Sequence, residues 1–407
     1  MKGILVLIVS LSAFVSKAQM NSDVYDTVSY HHEIGLNGLG DYGATSIRNG
    51  VTNRFVLGGM ITNEIKDASL SRHGGVNRFG LNAGGNVYYR NGQTHIFKKK
   101  NLGYEIAAGT NYFGGVLYAR DMFGLAMYGN QNYIGDTMLM SGMNINFTAM
   151  QKIGFGLFDP ASKSSARLNF YNISSRLSGS FRDLEIIQSE DGYEMEVVMD
   201  GEFEMAQSSN FNQGFGVGVD LDFRIPIGWI NEHEAQIQFK AENIGFGYMY
   251  EAQKRYSFDT TISFQGFSFD DLIGENSIFG DSINILDTLG IRSEDVKSGF
   301  VLPGYIQVGK MIDQNADYNL QSFFGIRIYP TLIFSPFAYA GIDYRFSQHI
   351  HAGASVSYGG FSGLRVGAYG QFNWEQIGFG IGSDNFSGFM REGGNGTSLY
   401  LRAVCRF

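Results

Sequence analysis

Apolar and polar residues alternate between Pro336 and Phe407 in five runs, each bounded by a short polar or glycine-rich turn. In the run over 349–358, apolar side chains take the even positions and polar or small ones take the odd positions. Side chains of a β-strand point alternately to opposite faces, so this period of two predicts strands with one apolar and one polar face. A soluble β-sandwich can show the same pattern, but we expect the apolar face to contact lipid and the polar face to contact water.

Similar runs follow one another along most of the chain from Arg78 onwards. Asn91-Gly92, after the first of them, is a strong hairpin signal because both residues tolerate positive φ. A parity slip at Glu242-Asn243 predicts a β-bulge. Together with the five closing runs, the pattern indicates an all-β chain that forms a transmembrane, antiparallel outer-membrane β-barrel of about 14 strands. The runs before residue 336 are 78–91, 103–120, 144–157, 166–174, 214–227, 235–243, 302–312 and 318–328.

The first 18 residues are typical of a secretory signal peptide. Lys2 precedes an apolar stretch over 3–15, and Ser16-Lys17-Ala18 places small residues at the two positions that signal peptidase inspects. The stretch is too short to span a bilayer, and the absence of a later long apolar run predicts no transmembrane helix. We therefore expect a signal peptide over 1–18 and localisation to the cell outer membrane.

The N-terminal segment over 19–75 is weakly patterned, and we expect the barrel proper to cover 76–407. Residues 47–61 could form a first strand or a periplasmic plug-like arm. With the C-terminus in the periplasm, counting strands backwards predicts long extracellular loops at 176–212, 250–298 and 384–396. The first two are acidic, and the runs within 176–212 are too polar on both parities to face lipid. Connections of such length usually contact a ligand or a partner.

Composition supports the barrel and excludes several classes of function. The chain has 55 Gly, 34 Phe and 23 Tyr but only 5 Pro and one Cys, as expected for small residues on tilted strands and aromatic girdles. The net charge is −9, and cleavage of the signal peptide, which holds two lysines and no acid, makes it −11. So acidic a surface argues against nucleic acid as a partner. Cys405 lies on the apolar parity and is expected to be a small lipid-facing residue.

Candidate chemistry is sparse, and we predict neither a catalytic site nor a metal site nor a cofactor. His349 and His351 could hold a metal, but no third ligand is visible nearby. The Gly-x-Gly runs at 214–218 and 378–382 do not open helices, so phosphate binding is not predicted. Charged residues on the polar parity are expected to face the lumen as an ionic mesh or an ion path. These predicted lumen-facing residues are Lys152, Asp220, Asp222, Arg224, Arg327, Asp343, Arg345, Arg365, Gln371 and Arg402, and Arg406 is expected to belong to the same ionic mesh.

Three short motifs carry a resemblance to a known family: 150–156 (MQKIGFG), 216–221 (GVGVDL) and 302–305 (LPGY). With the signal ending Lys-Ala-Gln, the chain resembles an outer-membrane barrel family of Bacteroidota. That family is similar to the fatty-acid transporter fold and to the type IX secretion barrel PorV, which are 14-stranded. Over about 75–407, the resemblance implies a barrel with long outer loops. It assigns no catalytic residue, and 19–75 shows no motif of the fatty-acid transporters' N-terminal hatch.

Two functions are compatible with this sequence. The first is a porin-like conduit or binding barrel for hydrophobic or amphiphilic small solutes, suggested by the fold alone. The second is a scaffold that transports nothing and docks secretion or surface-assembly partners through 176–212 and 250–298. Outer-membrane lipid is the expected surrounding. The barrel-assembly machinery is the expected partner during insertion, since the chain ends on the outward-facing aromatic residue Phe407.

Overall fold

Fourteen antiparallel strands close on themselves and form the wall of the protein, as predicted. The computed structural model describes residues 31–92, 102–208, 210–229, 233–264, 291–312, 318–390 and 392–407. Within these residues β1 pairs with β2 on one side and with β19 on the other, so the wall has no free edge. The strands are β1 His32–Ala44, β2 Asn77–Asn91, β3 Gly103–Tyr118, β4 Thr137–Leu139, β5 Met143–Phe158, β6 Ser165–Gln188, β7 Met195–Ala206, β8 Gly214–Trp229, β9 His233–Met249, β10 Gln253–Phe264, β11 Arg292–Val296, β12 Gly299–Val301, β13 Tyr305–Met311, β14 Leu320–Ile328, β15 Ser335–Arg345, β16 Ile350–Gly360, β17 Ser362–Asn373, β18 Ile377–Ser383 and β19 Gly396–Arg406.

The wall consists of β1–β3, β5, β6, β8, β9 and β13–β19. His32 and Phe407 exchange backbone hydrogen bonds of 2.9 and 3.0 Å, so the first and last wall strands begin and end together at what we call the termini end. The opposite, loop end carries the helices. They are α1 Asn49–Leu57, α2 Asn63–Leu70, α3 Arg120–Tyr128 and α4 Ser387–Met390, with a 3-10 turn at Gln131–Tyr133. No helix in the described ranges is long and apolar enough to cross a membrane.

The outer face of the wall is an apolar band between two aromatic girdles. At the termini end the His32 ring stacks on Phe407, and at the loop end Tyr42 packs against Phe79. The ten-residue rise from His32 to Tyr42 corresponds to about 25 Å along the barrel axis for a strand tilted by about 40°, the height of a transmembrane band. The parity prediction is confirmed, since Val356 and Val366 are half exposed on the outside while Arg365 is 1% exposed on the inside.

Strand β1 corrects the predicted N-terminal boundary. The wall begins at His32 rather than at residue 76, because His32–Ala44 pairs along its whole length with β2 and with β19. Residues 47–61 form helix α1 and the turn after it at the loop end, so they are neither a strand nor a plug at the termini end. The predicted signal peptide over 1–18 lies outside the described residues.

Beyond the loop end, strands replace two of the predicted loops. The distal half of β6 pairs with β7, β7 with β10, and β10 with β11; we call this group the extension sheet. The prediction that both parities of 176–212 are polar is wrong for β7. One face of β7 carries Met195, Val197, Met199, Phe203 and Met205, and the other carries Glu196, Asp200, Glu202 and Glu204. Residues 265–290 of the predicted 250–298 loop lie outside the described ranges.

Candidate functional site

The inner face of the wall carries alternating charges that lie side by side on successive strands. Glu33 has Arg406 as its cross-strand partner on one side and Arg90 on the other. Arg90 is also the cross-strand partner of Glu105. Arg167 is the cross-strand partner of Asp220. Ion pairs join Arg406 to Glu33 at 3.1 Å, Arg90 to Glu105 at 2.6 Å, and Arg167 to both Glu105 and Asp220. We call these six residues the charge belt. Each buried charge in it has an opposite charge beside it, which buried ions require.

Two glycines on β5 complete the charge belt. Gly156 is the cross-strand partner of both Glu105 on β3 and Arg167 on β6, so β5 separates the two charged residues. A Cβ atom at Gly156 would lie 2.9 Å from the Arg167 Cβ, and one at Gly154 would lie 2.6 Å from the Arg167 Cδ. Because glycine occupies both positions, the Arg167 side chain crosses over β5 and reaches Glu105.

The bulge predicted at Glu242-Asn243 is confirmed and anchors the end of the charge belt. The register between β8 and β9 jumps from Val219 opposite Ile244 to Leu221 opposite Ala241, and Asn243 adopts a φ of 55°. The Asn243 backbone N–H donates to Asp220 Oδ1 at 2.7 Å. Lys152 Nζ donates to Asp220 Oδ2 at 2.9 Å and to Asn243 Oδ1 at 2.8 Å. Two of the predicted lumen residues, Lys152 and Asp220, therefore lie inside and contact each other.

Three more predicted lumen residues lie near the termini end. Arg224 Nη2 is 3.2 Å from Asp222 Oδ2, and Asp222 also accepts a 2.7 Å hydrogen bond from Gln238. Arg345 donates to the Tyr318 carbonyl at 3.1 Å and is only partly buried. The close pairing of Asp222 and Arg224 leaves neither as a free charge that would define an ion path.

Strands β14 to β19 carry the remaining five predicted lumen residues, all of them buried. Arg365 Nη1 donates to both carboxylate oxygens of Asp41, at 2.9 and 3.0 Å, and so links β17 to β1. The Arg327 guanidinium lies 4.1 Å from the centre of the Tyr305 ring and donates twice to Gln307. The five residues are Arg327, Asp343, Arg365, Gln371 and Arg402.

Four charge-belt residues were absent from the predicted set, namely Glu33, Arg90, Glu105 and Arg167. Each lies on the inward parity of its strand, so the same alternation that pointed to Asp220 could have found Arg90, Glu105 and Arg167. Glu33 could not be found by this alternation, because the strand that carries it was not predicted.

The two candidate metal-binding histidines do not converge. The His349 ring stacks on Trp374 at 4.5 Å in a turn at the termini end. The His351 ring is buried on the inner face, and its Nδ1 lies 3.7 Å from Asp343. Among the described residues, no group of three or more His, Cys, Asp or Glu side chains is arranged to hold a metal ion.

The loop end of the barrel is closed by an aromatic plug. It consists of the segment 329–334, which connects β14 to β15, the Phe113 ring from β3 and the Phe361 ring from the turn between β16 and β17. Tyr329 stacks on Phe113 at 5.1 Å and packs on Phe334 at 4.4 Å. Phe334 meets the edge of Phe361 at 5.0 Å. We define the aromatic plug as Phe113, Tyr329, Ile333, Phe334 and Phe361, all of which are buried. The alternation of apolar and polar residues did not indicate this plug, since the five residues lie in three separate segments.

A row of glycines makes room for the plug. Gly43, Gly80 and Gly115 are successive cross-strand partners on β1, β2 and β3. A Cβ atom at Gly80 would lie 2.2 Å from the Phe361 ring, and one at Gly115 would lie 2.5 Å from Ile333. These glycines therefore form the flat surface against which the plug packs.

A cavity of about 210 Å³ lies on the outer side of the plug and opens towards the loop end. We call it the mouth cavity. Pro330 and Thr331, from the plug segment itself, lie in its lining. Among the described residues that line it, seven are apolar or glycine and Arg176 alone is charged, although polar atoms supply more of the cavity surface than apolar atoms do. The other lining residues are Phe113, Asn146, Phe300, Val301, Leu302, Pro303 and Gly304.

Arg176 is positioned to receive an anionic group in the mouth cavity. Its guanidinium lies 4.6 Å from the Phe300 ring centre, and Nη1 donates to Glu204 at 2.9 Å. Its Nε is buried and makes no hydrogen bond within the described ranges. Arg255 also donates to Glu204, at 2.7 Å, and pairs with Glu294 at 3.3 Å, so two carboxylates balance the two arginines of this cluster.

A second, smaller cavity of about 50 Å³ lies on the inner side of the plug. Its lining includes Tyr329 of the plug and the polar residues Lys152, Glu242 and Asn243 near the charge belt. Pro303 lines both cavities. The plug thus separates a cavity at the mouth, whose lining holds the one arginine Arg176, from a cavity in the interior that borders the charge belt.

Comparisons with known proteins find likeness only among solved structures. No family model and no curated protein sequence matches the chain. The Pseudomonas putida toluene transporter TodX is similar with a TM-score of 0.38 and 9% identity, over 92% of this chain and 89% of that one. The translocator domain of the autotransporter NalP from Neisseria meningitidis has a TM-score of 0.30 and 10% identity, over 94% and 91%. Pseudomonas putida OprB has a TM-score of 0.28 and 10% identity, over 93% of this chain and 94% of that one. Likeness at this level assigns no function.

Proposed function

We propose that this protein is an outer-membrane barrel that takes up a hydrophobic or amphiphilic small solute in the mouth cavity, and that the solute passes inwards when the aromatic plug moves. The observation that carries the proposal is the arrangement of two cavities on either side of one plug segment. Pro330 and Thr331 line the outer cavity and Tyr329 lines the inner one. A solute bound at the mouth would therefore contact the element that blocks its way.

The lining of the mouth cavity selects the class of solute. The partly exposed Phe300 ring offers apolar surface, and small-molecule sites typically combine such surface with a few polar groups. Arg176 supplies a single cation at one side. An amphiphile with an apolar body and one anionic group matches both features, whereas a large hydrophilic solute does not.

The interior beyond the plug is polar, which limits the rate of passage. The charge belt crosses the inner face as closely paired ions, and an apolar solute gains nothing by displacing them. The proposal therefore describes a binding barrel with slow, plug-controlled passage rather than an open pore. It includes no catalytic step, metal or cofactor.

Binding and passage are tested separately. Radiolabelled decanoate is the binding probe for purified protein in amphipol, and vesicle swelling measures passage. We expect Asn146→Trp, which adds an indole to the cavity lining from the inward face of β5, to weaken decanoate binding by about tenfold or more. Asn132→Trp, at an exposed position outside the cavity lining, is the matched control. Failure of the wild-type protein to bind decanoate, or equal binding by both variants, would refute the proposal.

The extension sheet favours a second candidate function. Strands β7, β10 and β11 are not needed to close the wall, and one face of β7 carries four carboxylates beyond the loop end. Such a folded, acidic projection suits a scaffold that docks a basic secretion or surface-assembly partner. The resemblance to the type IX secretion barrel points the same way. Deletion of 190–206 and 253–296, followed by purification of the assembled complex, tests this function, since an unchanged set of partners would remove its basis.

A further inference from the structure

A groove of about 450 Å³ runs along the outer wall where β19, β1 and β2 lie side by side. Its floor is formed by Gly38 and Gly40 on β1. Their cross-strand partners on β19 are Leu401 and Leu399, and Gly40 also faces Ala83 on β2. Because the two glycines carry no side chains, the outer face of the wall is recessed at this place, and Leu399 and Leu401 form one side of the groove. A Cβ atom added at Gly40 would meet no atom within 4 Å, so the space above it is open.

The groove lies inside the apolar band. Tyr42, two residues beyond Gly40, belongs to the aromatic girdle at the loop end, and Ile34 and Leu36 continue the outward parity of β1 towards the other girdle. The groove is therefore continuous with the surface that contacts lipid, in the half of the band nearer the loop end. Lipid is the medium that fills any hollow on this surface.

Two loop-end elements overhang the groove and are held rigidly. Asn53 of α1 and Phe389 of α4 belong to its lining. Asn49, buried at the start of α1, donates to the Gly388 carbonyl at 3.0 Å and accepts from the Gly396 backbone N–H at 2.8 Å. Asn49 also accepts a 2.6 Å hydrogen bond from Tyr42. One buried amide thus fixes α1, α4 and the wall around the upper end of the groove.

The overhanging elements expose apolar side chains of their own. Phe55, Leu57 and Met60, at and just beyond the end of α1, are each exposed by 66% or more, and Phe389 by 54%. Large apolar side chains clustered in this way mark a contact with a membrane or a partner. Since these side chains lie beside the apolar band, we infer that they lie in the membrane interface, where amphipathic helices bind.

We propose that this groove is a specific binding site for one acyl chain of a membrane lipid, which lies along Gly38 and Gly40 and is held by Phe389. Burial of methylene groups supplies the affinity, and the concave floor distinguishes this site from the convex lipid-facing wall elsewhere. A second copy of the barrel is a poorer occupant, because its convex wall cannot reach a floor recessed below α1, α4 and the leucines of β19.

Native mass spectrometry of the full chain with dipalmitoyl phosphatidylglycerol tests the site. Gly40→Leu fills the groove, and neither its backbone angle nor its surroundings oppose the new side chain. Gly370→Leu is the matched control, because Gly370 also faces outwards on β17 with no atom within 4 Å of an added Cβ. Phe389→Ala is a second variant that removes an exposed side chain and leaves the wall intact. Heat-modifiable migration on gels verifies that each variant is folded.

We expect the wild-type protein and Gly370→Leu to retain one lipid at a low lipid concentration. Gly40→Leu should reduce retention by about tenfold or more, and Phe389→Ala should weaken it. Equal retention by wild type and Gly40→Leu would overturn the proposal. So would a wild-type dimer that binds no lipid and that Gly40→Leu converts to a monomer, because the groove would then be an interface between copies.

Discussion

The guanidinium of Arg167 on β6 reaches across β5 and binds the carboxylate of Glu105 on β3. Gly154 and Gly156 leave the space that this side chain occupies. Arg167 also binds Asp220 on the neighbouring strand β8, so one residue links β3, β6 and β8 although β5 separates β3 from β6. The charge belt therefore stabilises the barrel through a side-chain contact between β3 and β6, two strands that no backbone hydrogen bond joins.

Loss of Arg167 should destabilise the barrel strongly. Arg167→Met would leave Glu105 and Asp220 buried with one cation fewer, and removal of one partner from a buried ion pair costs about 3–5 kcal/mol. Denaturant unfolding in detergent micelles measures the change. Arg182→Met is the control, because Arg182 pairs with Asp200 in solvent and such pairs contribute little. Equal effects of the two substitutions would contradict a structural role for the charge belt.

Gly80→Ala should loosen the aromatic plug. The new methyl group would lie 2.2 Å from the Phe361 ring, so the ring has to move away from Phe334. We expect faster passage of small amphiphiles in vesicle swelling, with a modest loss of stability of about 1–3 kcal/mol from overpacking. Gly370→Ala, on the outer face, should leave passage unchanged. Unaltered passage through a folded Gly80→Ala barrel would show that the plug does not control it.

Arg176→Met should distinguish charged from uncharged ligands of the mouth cavity. Arg176 is the cation in the cavity lining, and its removal takes away the attraction for a carboxylate while methionine keeps apolar surface. Binding of decanoate should fall by about tenfold, whereas binding of decanol should stay within about twofold. Parallel titrations in amphipol compare the two ligands. Equal losses for both would mean that Arg176 acts only by shaping the cavity.

Acid should loosen the extension sheet. Burial by itself would raise the pKa of Glu204, but hydrogen bonds and charge from Arg255 and Arg176 outweigh it and hold this pKa below its usual range. A lowered pKa means that the folded carboxyl binds fewer protons than the unfolded one. Its stabilising contribution is therefore complete above the ordinary glutamate pKa of about 4.3 and is lost as the pH falls through the lowered value.

Hydrogen exchange in β7 and β10, corrected for the intrinsic rate, measures this effect between about pH 6 and pH 3. We expect protection to fall at the acidic end in the wild-type protein. Glu204→Gln should show weaker protection throughout and a smaller dependence on pH. The same pH dependence in both proteins would assign the effect to other carboxylates of the sheet.

The alternation of apolar and polar residues was sufficient to predict the closed barrel, because the period of two is a local property of an extended backbone. The bulge at Asn243 was also readable, since an extra residue shifts the parity of everything after it. Strand β1 was missed for an equally local reason. Gly38 and Gly40 replace the expected apolar residues on its outer face, so the pattern fades although the backbone pairs fully.

The sequence by itself determined which face of each strand meets lipid and which meets the interior. Only the tertiary structure decided which inward residues become partners, as with Glu33 and Arg406, which lie at opposite ends of the chain. The plug and the outer groove were decided in the same way, since each joins residues from separate segments. The reason is that cross-strand register depends on how the sheet closes, and closure is set by all fourteen strands together.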